Sequence, residues 1–316
     1  MTQARESFFI HFCGEAVKGA GEDAWLCAQS RGCRIAAVFD GCGGLGSRKY
    51  QSEGGRTGAY LAARRAREVL SACAEICEEV DRDPITAIPE LYGECLYRSL
   101  TKYSAELDRE NGEPLYRGDM QKSLPTTVCA AIVGEKNFNC FWAGDSRIYL
   151  LSSEGLCVIA GDSGSTSDFD ETFSRDRRLI SYASADAPFS LLKKQIHLPD
   201  TGYAVLAVSD GVYAYFRTAM ELEFALVDTL VKSDSPSEWS VKLSQAVSEY
   251  ASDDFTLAAA VEADGGFEGF RCELSARRDY VYDNYISVLE NADDEDETAA
   301  ALWQQYRKRY LSLCRS

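Results

Sequence analysis

The most informative stretch of the sequence is residues 35–44, which read IAAVFDGCGG. Five apolar residues followed by a glycine-rich turn are typical of a short strand that is buried on both faces. Asp40 stands directly at the end of this strand, and the glycines beside it let backbone and solvent approach its carboxylate closely. An acid in that position is rigidly placed and partly removed from water. The stretch therefore predicts a core strand that presents a fixed carboxylate at its end.

Other predicted strands carry acids at their ends in the same way. These acids are Glu22, Asp23, Asp145, Asp210 and Asp253. Several carboxylates that converge repel one another unless a cation holds them, and all-oxygen ligands suit Mg²⁺ or Mn²⁺. An aspartate at the end of a strand is also common in ordinary turns. The pattern alone thus predicts a metal site and leaves its chemistry open.

The order of the predicted elements indicates the fold class. Hydrophobic periodicity predicts strands over 8–13, 24–29, 33–39, 127–133, 139–143, 147–151, 203–209 and 255–261, and helices over 67–80, 88–107, 220–232 and 237–251. Strands and helices do not alternate along the chain as they do in a parallel α/β sheet. We therefore expect an α+β fold in which two packed β-sheets are flanked by helix pairs, an α-β-β-α sandwich.

Two parts of the chain depart from this core pattern. Residues 161–198 are polar and irregular, which predicts a flap within a domain that spans 1–264. Residues 265–316 form a C-terminal extension, with an acidic segment and then an amphipathic helix over 299–313 whose apolar stripe includes Trp303. Either this helix docks on the domain, or it binds a partner or a second copy of the chain.

Composition excludes several function classes. Among 316 residues, 50 are acidic and 33 basic, so the net charge of −17 argues against binding nucleic acid or an anionic membrane. With two histidines, the chain lacks the ligands of an imidazole-rich zinc site. The 12 cysteines form no Cys-x-x-Cys pair and lie mostly in apolar runs. Because neither a secretory segment nor a membrane span is apparent, we expect reduced cysteines and a cytoplasmic protein.

Six short segments, taken in order, resemble the metal-dependent protein phosphatases, the PPM family (protein phosphatase type 2C). They are GEDA at 21–24, VFDGCGG at 38–44, PTT at 125–127, AGDSR at 143–147, SDGV at 209–212 and SDDFT at 252–256. Each segment is short, but the ordered set is specific and covers about residues 8–262. The resemblance implies that 1–264 is a phosphatase-like catalytic domain.

The resemblance also implies a binuclear Mg²⁺ or Mn²⁺ centre at one end of the sheets. Asp40 would bridge both ions, and the Gly41 carbonyl would bind one of them. Asp210 and Asp253 would ligate the other ion, and Asp145 would help to bind a third, weaker ion that many members hold.

The implied reaction is hydrolysis of phosphoserine or phosphothreonine in proteins. A water that bridges the two ions would attack phosphorus, so Asp40, Asp210 and Asp253 would be the catalytic residues. Glu22 and Asp23 would act around the ions, largely through water. The implied partners are a phosphorylated protein and a cognate Ser/Thr kinase.

The sequence departs from the family pattern at three places. Cys42 follows Asp40-Gly41 where eukaryotic members often have histidine, which suits a bacterial-type member. Lys18 stands where many members place a phosphate-binding arginine. Either it binds substrate as a point charge, or it is a surface lysine without a role. The flap lacks the usual Asp-His pair, which leaves specificity open. Two alternatives remain: a pseudophosphatase or regulatory module that binds through the C-terminal helix, or a phosphatase of a small phosphoester.

Overall fold

Two antiparallel sheets form the centre of the protein in the computed structural model, which describes residues 5–112, 121–160 and 181–313. The first sheet has the strand order β1 (Arg5–Gly14), β12 (Phe255–Asp264), β11 (Tyr203–Val208), β8 (Arg147–Ser152) and β9 (Gly155–Ala160). The second has the order β10 (Leu192–His197), β7 (Asn137–Ala143), β6 (Val128–Val133), β3 (Cys33–Phe39) and β2 (Ala24–Ser30). A small ribbon pairs β4 (Lys49–Tyr50) with β5 (Arg56–Thr57).

The two sheets pack face to face through small and branched side chains. Val38 of β3, Val205 of β11 and Ala258 of β12 all belong to this inner core. All seven residues of β3 are buried, which explains why residues 35–39 form an apolar run instead of an alternating pattern. The strand ends are consequently held in a rigid, well-packed frame.

Helices cover both outer faces of this pair of sheets. On the second sheet lie α1 (Gly58–Glu79) and α2 (Pro84–Asn111). The first sheet is covered by α4 (Ala219–Val231), α5 (Pro236–Ser248), α6 (Gly266–Val281) and α8 (Glu295–Tyr310), and the short helices α3 (Asp210–Tyr213) and α7 (Ser287–Glu290) connect neighbouring elements. The predicted α-β-β-α sandwich is therefore confirmed.

The predicted irregular flap is wrong in its last part. Residues 192–197 form β10, which pairs antiparallel with β7 at the edge of the second sheet. Of its six side chains only Ile196 is buried, and Lys193 and Lys194 are charged, as is common on an edge strand. A strand with one buried residue gives almost no alternating pattern. Residues 161–180 of the predicted flap lie outside the described residues.

Two further elements had no clear sequence signal. Strand β9 was not predicted, and neither was α6, in which Phe270, Leu274 and Val281 are the buried large side chains. Three apolar contacts over 16 residues form too sparse a stripe for periodicity to detect.

The C-terminal extension packs into the same core as the first sheet. Trp303 and Tyr310 of α8 are fully buried, and the Tyr306 hydroxyl donates to Glu223 Oε2 of α4 at 2.5 Å. Arg277 of α6 donates from Nε to the other oxygen of the same carboxylate at 2.6 Å. The apolar stripe of α8 thus docks on the domain, as the first of the two interpretations expects. Association through its other faces stays a prediction.

The described part of the chain has two features that bear on the cellular setting. Its eleven cysteines are all free thiols. Within the same residues, no helix is both long enough and apolar enough to cross a bilayer.

Because Trp303 is buried in the shared core, Trp303→Ala should lower the free energy of unfolding by about 3–5 kcal/mol. Unfolding should remain a single transition, since the extension and the sandwich share one core. The control is Gln304→Ala on the exposed face of α8, which should change stability by less than about 0.5 kcal/mol. Denaturant unfolding followed by circular dichroism measures both. A separate early transition for the extension would contradict this packing.

Candidate active site

The ends of several core strands open into one cleft of about 800 Å³. Its lining includes six of the seven residues predicted to surround metal ions: Glu22, Asp40, Gly41, Asp145, Asp210 and Asp253. The rest of the lining comprises Cys42, Gly43, Gly44, Leu45, Lys122, Thr127, Tyr182 and Asp254. Acids that are as many as 232 positions apart in the chain are thus brought to one place by the sheet topology.

The backbone of Asp40 is fixed by the two threonines of the PTT segment. Its N–H donates to Thr127 Oγ1 at 3.0 Å, and its carbonyl accepts from Thr127 N at 2.8 Å and from Thr126 Oγ1 at 2.9 Å. The Thr127 hydroxyl is also within 2.9 Å of Ser146 Oγ. These contacts leave the Asp40 carboxyl free to line the cleft, where Asp210 is one of its neighbours.

Asp210 begins α3, and one residue separates it from the end of β11. The next residue must be glycine, because a Cβ on Gly211 would lie 1.9 Å from the carbonyl oxygen of Asp254. This close approach brings the ends of β11 and β12 together and so places Asp210 beside Asp253. In the turn between β7 and β8, the carbonyl of Asp145 accepts from the Tyr213 hydroxyl at 2.9 Å.

Glu22 is positioned by Asp254, a residue that the sequence-based prediction missed. Asp254 Oδ2 accepts from the Glu22 N–H at 2.7 Å, and Oδ1 accepts from the Ala16 N–H at 2.9 Å. Thr57, the cap of α1, donates its hydroxyl to Glu22 Oε1. A side chain at Gly43 would collide with the other carboxylate oxygen of Glu22. The only sequence signal for Asp254 is its place as the second of two adjacent acids before β12.

Asp23 lies beneath the cleft and is not part of its lining. Asp23 is 3% exposed, and Thr256 and Ser209 are among its neighbours. Its Oδ2 atom has no hydrogen-bond partner among the described residues. Burial raises the pKa of Asp23 to about 7, and the charges of Asp254 and Asp210 add to the rise. A buried carboxylate oxygen without a donor is a site of unmet negative charge.

The pKa values of the other acids are raised for the same reasons. Burial, with the charges of Asp23 and Asp210, raises the pKa of Asp40 well above its ordinary value. Burial raises the pKa of Asp210 to about 6, helped by Asp145. Burial also raises the pKa of Glu22, and the nearby aspartates before β12 add to this. Like charges in a partly dry cleft destabilise one another, and a bound cation would remove that cost.

The donor set fits a hard divalent cation. The cleft offers carboxylate oxygens and the Gly41 carbonyl, without the histidine or paired thiolates that zinc prefers. In the described ranges, no three His, Cys, Asp or Glu side chains are drawn close enough to hold an ion by themselves. The assignment of a site for a divalent cation therefore rests on three observations: the residue types, the unpartnered Asp23 oxygen and the raised pKa values.

Cys42 lines the cleft as a protonated thiol. Burial raises its pKa well above the ordinary value, and the charges of Asp40 and Asp145 raise it further. A thiol in that state is a poor nucleophile and a poor target for oxidation.

Lys18 does not line the cleft. It is exposed in the turn between β1 and β2. The arginines nearest this turn serve as supports: Arg64 donates to the Glu22 carbonyl at 3.2 Å, and Arg56 donates to the Gly19 carbonyl at 2.8 Å. Both guanidinium groups lie over the ring of Tyr60.

Replacing Asp254 should loosen the loop that carries Glu22. In Asp254→Ala, two backbone N–H groups lose their acceptor, so we expect their local opening to become easier by about 1–3 kcal/mol. Amide hydrogen exchange at Ala16 and Glu22 measures this directly. Asp254→Asn keeps one acceptor oxygen, so its amide protection should lie between that of the wild type and that of Asp254→Ala. The control Asp253→Ala should leave both amides protected. Unchanged protection in Asp254→Ala would contradict the assigned contacts.

The raised pKa of Asp23 predicts a pH dependence of the metal-free protein. A carboxyl whose pKa is raised by folding favours the folded state at low pH, and that contribution is lost as the pH rises from about 4 to about 7. Asp23→Asn removes this carboxyl. By the linkage relation between pKa and stability, it should raise the free energy of unfolding by roughly a few kcal/mol at pH 8 and by less at pH 5. Thermal unfolding with chelator at the two pH values measures it. A variant that is less stable than the wild type at pH 8 would contradict the prediction.

Comparison with known proteins places the chain in a family. The family model described as Protein phosphatase 2C matches residues 17–249. No curated protein sequence matches the chain. Solved structures of several phosphatases share the fold at low identity.

Serine/threonine phosphatase Stp1 from Staphylococcus aureus is 19% identical with a TM-score of 0.58, over 82% of this chain and 96% of that one. The catalytic domain of the serine/threonine protein phosphatase PstP, in complex with two manganese ions, is 17% identical with a TM-score of 0.56, over 83% and 100%. PppA, a T6SS regulatory component of Pseudomonas aeruginosa, is 19% identical with a TM-score of 0.53, over 82% and 98%. At these identities the likeness shows the fold. Since the family model covers most of the chain, the protein belongs to the protein phosphatase 2C family, the metal-dependent protein phosphatases.

Proposed function

We propose that the protein hydrolyses phosphoserine and phosphothreonine in proteins and depends on two divalent ions, Mg²⁺ or Mn²⁺. The observation that carries this proposal is the convergence of Asp40, Asp145, Asp210 and Asp253 in one cleft, together with pKa values of Asp40 and Asp210 that burial and mutual repulsion raise. A cluster of this kind is costly for a fold to maintain unless cations complete it.

Different residues of the cleft would bind each of these ions. Asp40 and the Gly41 carbonyl would hold one ion, with Asp40 shared between both. Asp210 and Asp253 would hold the second, and Asp145 would serve a third. Glu22, and Asp23 beneath it, would balance charge around them. When bound, such ions lower the pKa of a water molecule and stabilise charge on phosphoryl oxygens.

The side chains of the cleft are arranged to position bound groups, and neither Thr127 nor Cys42 is arranged to attack phosphorus. The Thr127 hydroxyl is engaged with the Asp40 N–H and with Ser146. The Cys42 thiol is held protonated by burial and by neighbouring charge. Neither group is activated as a nucleophile, because the Thr127 hydroxyl is already hydrogen-bonded and the raised pKa of Cys42 opposes its ionisation. Water is therefore the attacking group that this cleft favours.

Two further observations support the proposed substrate and the proposed cellular compartment. Stp1 and PstP, which share the fold, are serine/threonine phosphatases, and PstP was solved with two manganese ions. The free cysteines fit a reducing compartment, so we infer a cytoplasmic enzyme that opposes a Ser/Thr kinase.

The test is hydrolysis of a phosphothreonine peptide with Mn²⁺ and with excess chelator. We expect turnover with Mn²⁺ and its loss with chelator. Asp210→Asn should lower kcat/KM by at least about 100-fold, since loss of even an outer partner of a metal ligand costs 10- to 100-fold. The matched control is Asp293→Asn in the exposed acidic segment, which should retain wild-type activity.

The outcomes separate the alternatives. A protein that binds Mn²⁺ and turns over no phosphoester would be a pseudophosphatase. Turnover of free phosphometabolites without turnover of phosphopeptides would assign the cleft to a small phosphoester. Either result would contradict the proposal.

A further inference from the structure

Lys122 is the one basic side chain among the described residues that line the cleft. Six acids line the same cleft: Glu22, Asp40, Asp145, Asp210, Asp253 and Asp254. Lys122 is half-buried, and in the described ranges it takes part in no ion pair. A lysine beside six carboxylates without pairing to one of them is available to an incoming anion.

The backbone around Lys122 is tied to the loop that follows Asp40. The Lys122 N–H donates to the Leu45 carbonyl at 2.9 Å, and the Leu45 N–H donates to the Cys42 carbonyl at 3.0 Å. On the other side, the Ser123 N–H donates to Asp186 Oδ2 at 2.8 Å. The Cα of Lys122 is thus held against the cleft by contacts on both sides, while its four-carbon stem remains free to reposition the ammonium group.

Three other cations near this end of the sandwich, all in the described part of the chain, are bound to protein groups or lie outside the cleft lining. Arg64 and Arg56 donate to backbone carbonyls and stack on Tyr60. Lys18 is exposed and is not part of the cleft lining. A phosphomonoester that enters carries about two negative charges at neutral pH, so a cation in the lining reduces its repulsion by the acids.

We propose that Lys122 binds the phosphoryl group of the substrate, a role that the family resemblance suggested for Lys18. The inference rests on the proposed function, because the phosphoryl group is that of the phosphoprotein substrate. Lys122 is placed where it offsets the acidic field of the cleft and orients the phosphoryl oxygens.

The experiment compares Lys122→Ala, Lys122→Arg and the matched control Lys18→Ala in the full-length, Mn²⁺-loaded protein. For a phosphothreonine peptide, Lys122→Ala should lower kcat/KM by about 10- to 100-fold, mainly through KM, as expected for loss of a charge-assisted hydrogen bond. The inhibition constant of inorganic phosphate should rise in parallel. Lys122→Arg keeps the charge and should recover most of the loss, and Lys18→Ala should stay within about twofold of the wild type. Thermal unfolding checks that all three variants are folded.

Unchanged KM and phosphate inhibition in Lys122→Ala would overturn the inference, as would an equal effect of Lys18→Ala. A second measurement separates this outcome from failure of the proposed function. If the wild type has no phosphatase activity, calorimetric titration of the Mn²⁺-loaded protein with inorganic phosphate still tests Lys122. Weaker phosphate binding in Lys122→Ala than in the wild type supports the site, and equal binding, or none in either protein, overturns it.

Discussion

Repulsion among carboxylates at one end of the sandwich is the constraint on which the rest of this structure depends. Asp40 and Asp210 line the same cleft, and Asp23 lies beneath them with one oxygen unpartnered in the described residues. Burial and mutual charge raise the pKa of each of the three. The fold keeps this arrangement because each acid is attached to a strand end that the core holds rigidly.

The same end of the molecule is connected to the C-terminal extension. The Tyr310 hydroxyl of α8 is 3.2 Å from that of Tyr149, which accepts from Arg147 Nη1 at 3.3 Å. The Arg147 guanidinium lies 3.8 Å from the ring centroid of Tyr213, whose hydroxyl donates to the Asp145 carbonyl. These contacts form a continuous buried path from the last helix to a residue of the cleft. The extension is thus structurally part of the domain whose site it adjoins.

Predictions from the sequence were correct where a short stretch of sequence by itself indicates the environment of its residues. The apolar run of β3 is buried on both faces, and the acids at strand ends meet because antiparallel strands of two packed sheets end at the same edge. They failed where the signal depends on distant contacts. Strand β10 has a single buried side chain, and the part that Asp254 plays is visible only once the Ala16–Glu22 loop lies against it. Lys122 and Lys18 are equally polar in sequence, and only the folded chain shows which one lines the cleft.

The central claim is that divalent cations complete this cluster of carboxylates. Calorimetric titration of the wild type with Mn²⁺ at about pH 6, in buffers of different ionisation enthalpy, tests it most directly. Metal ligands must be deprotonated. In the metal-free protein the pKa of Asp23 is raised to about 7 and that of Asp210 to about 6, and burial also raises the pKa of Asp40 well above its ordinary value. The account predicts that Mn²⁺ binds with net release of protons, and that the release diminishes at pH 8. Absence of Mn²⁺ binding, or binding without proton release at pH 6, would contradict it.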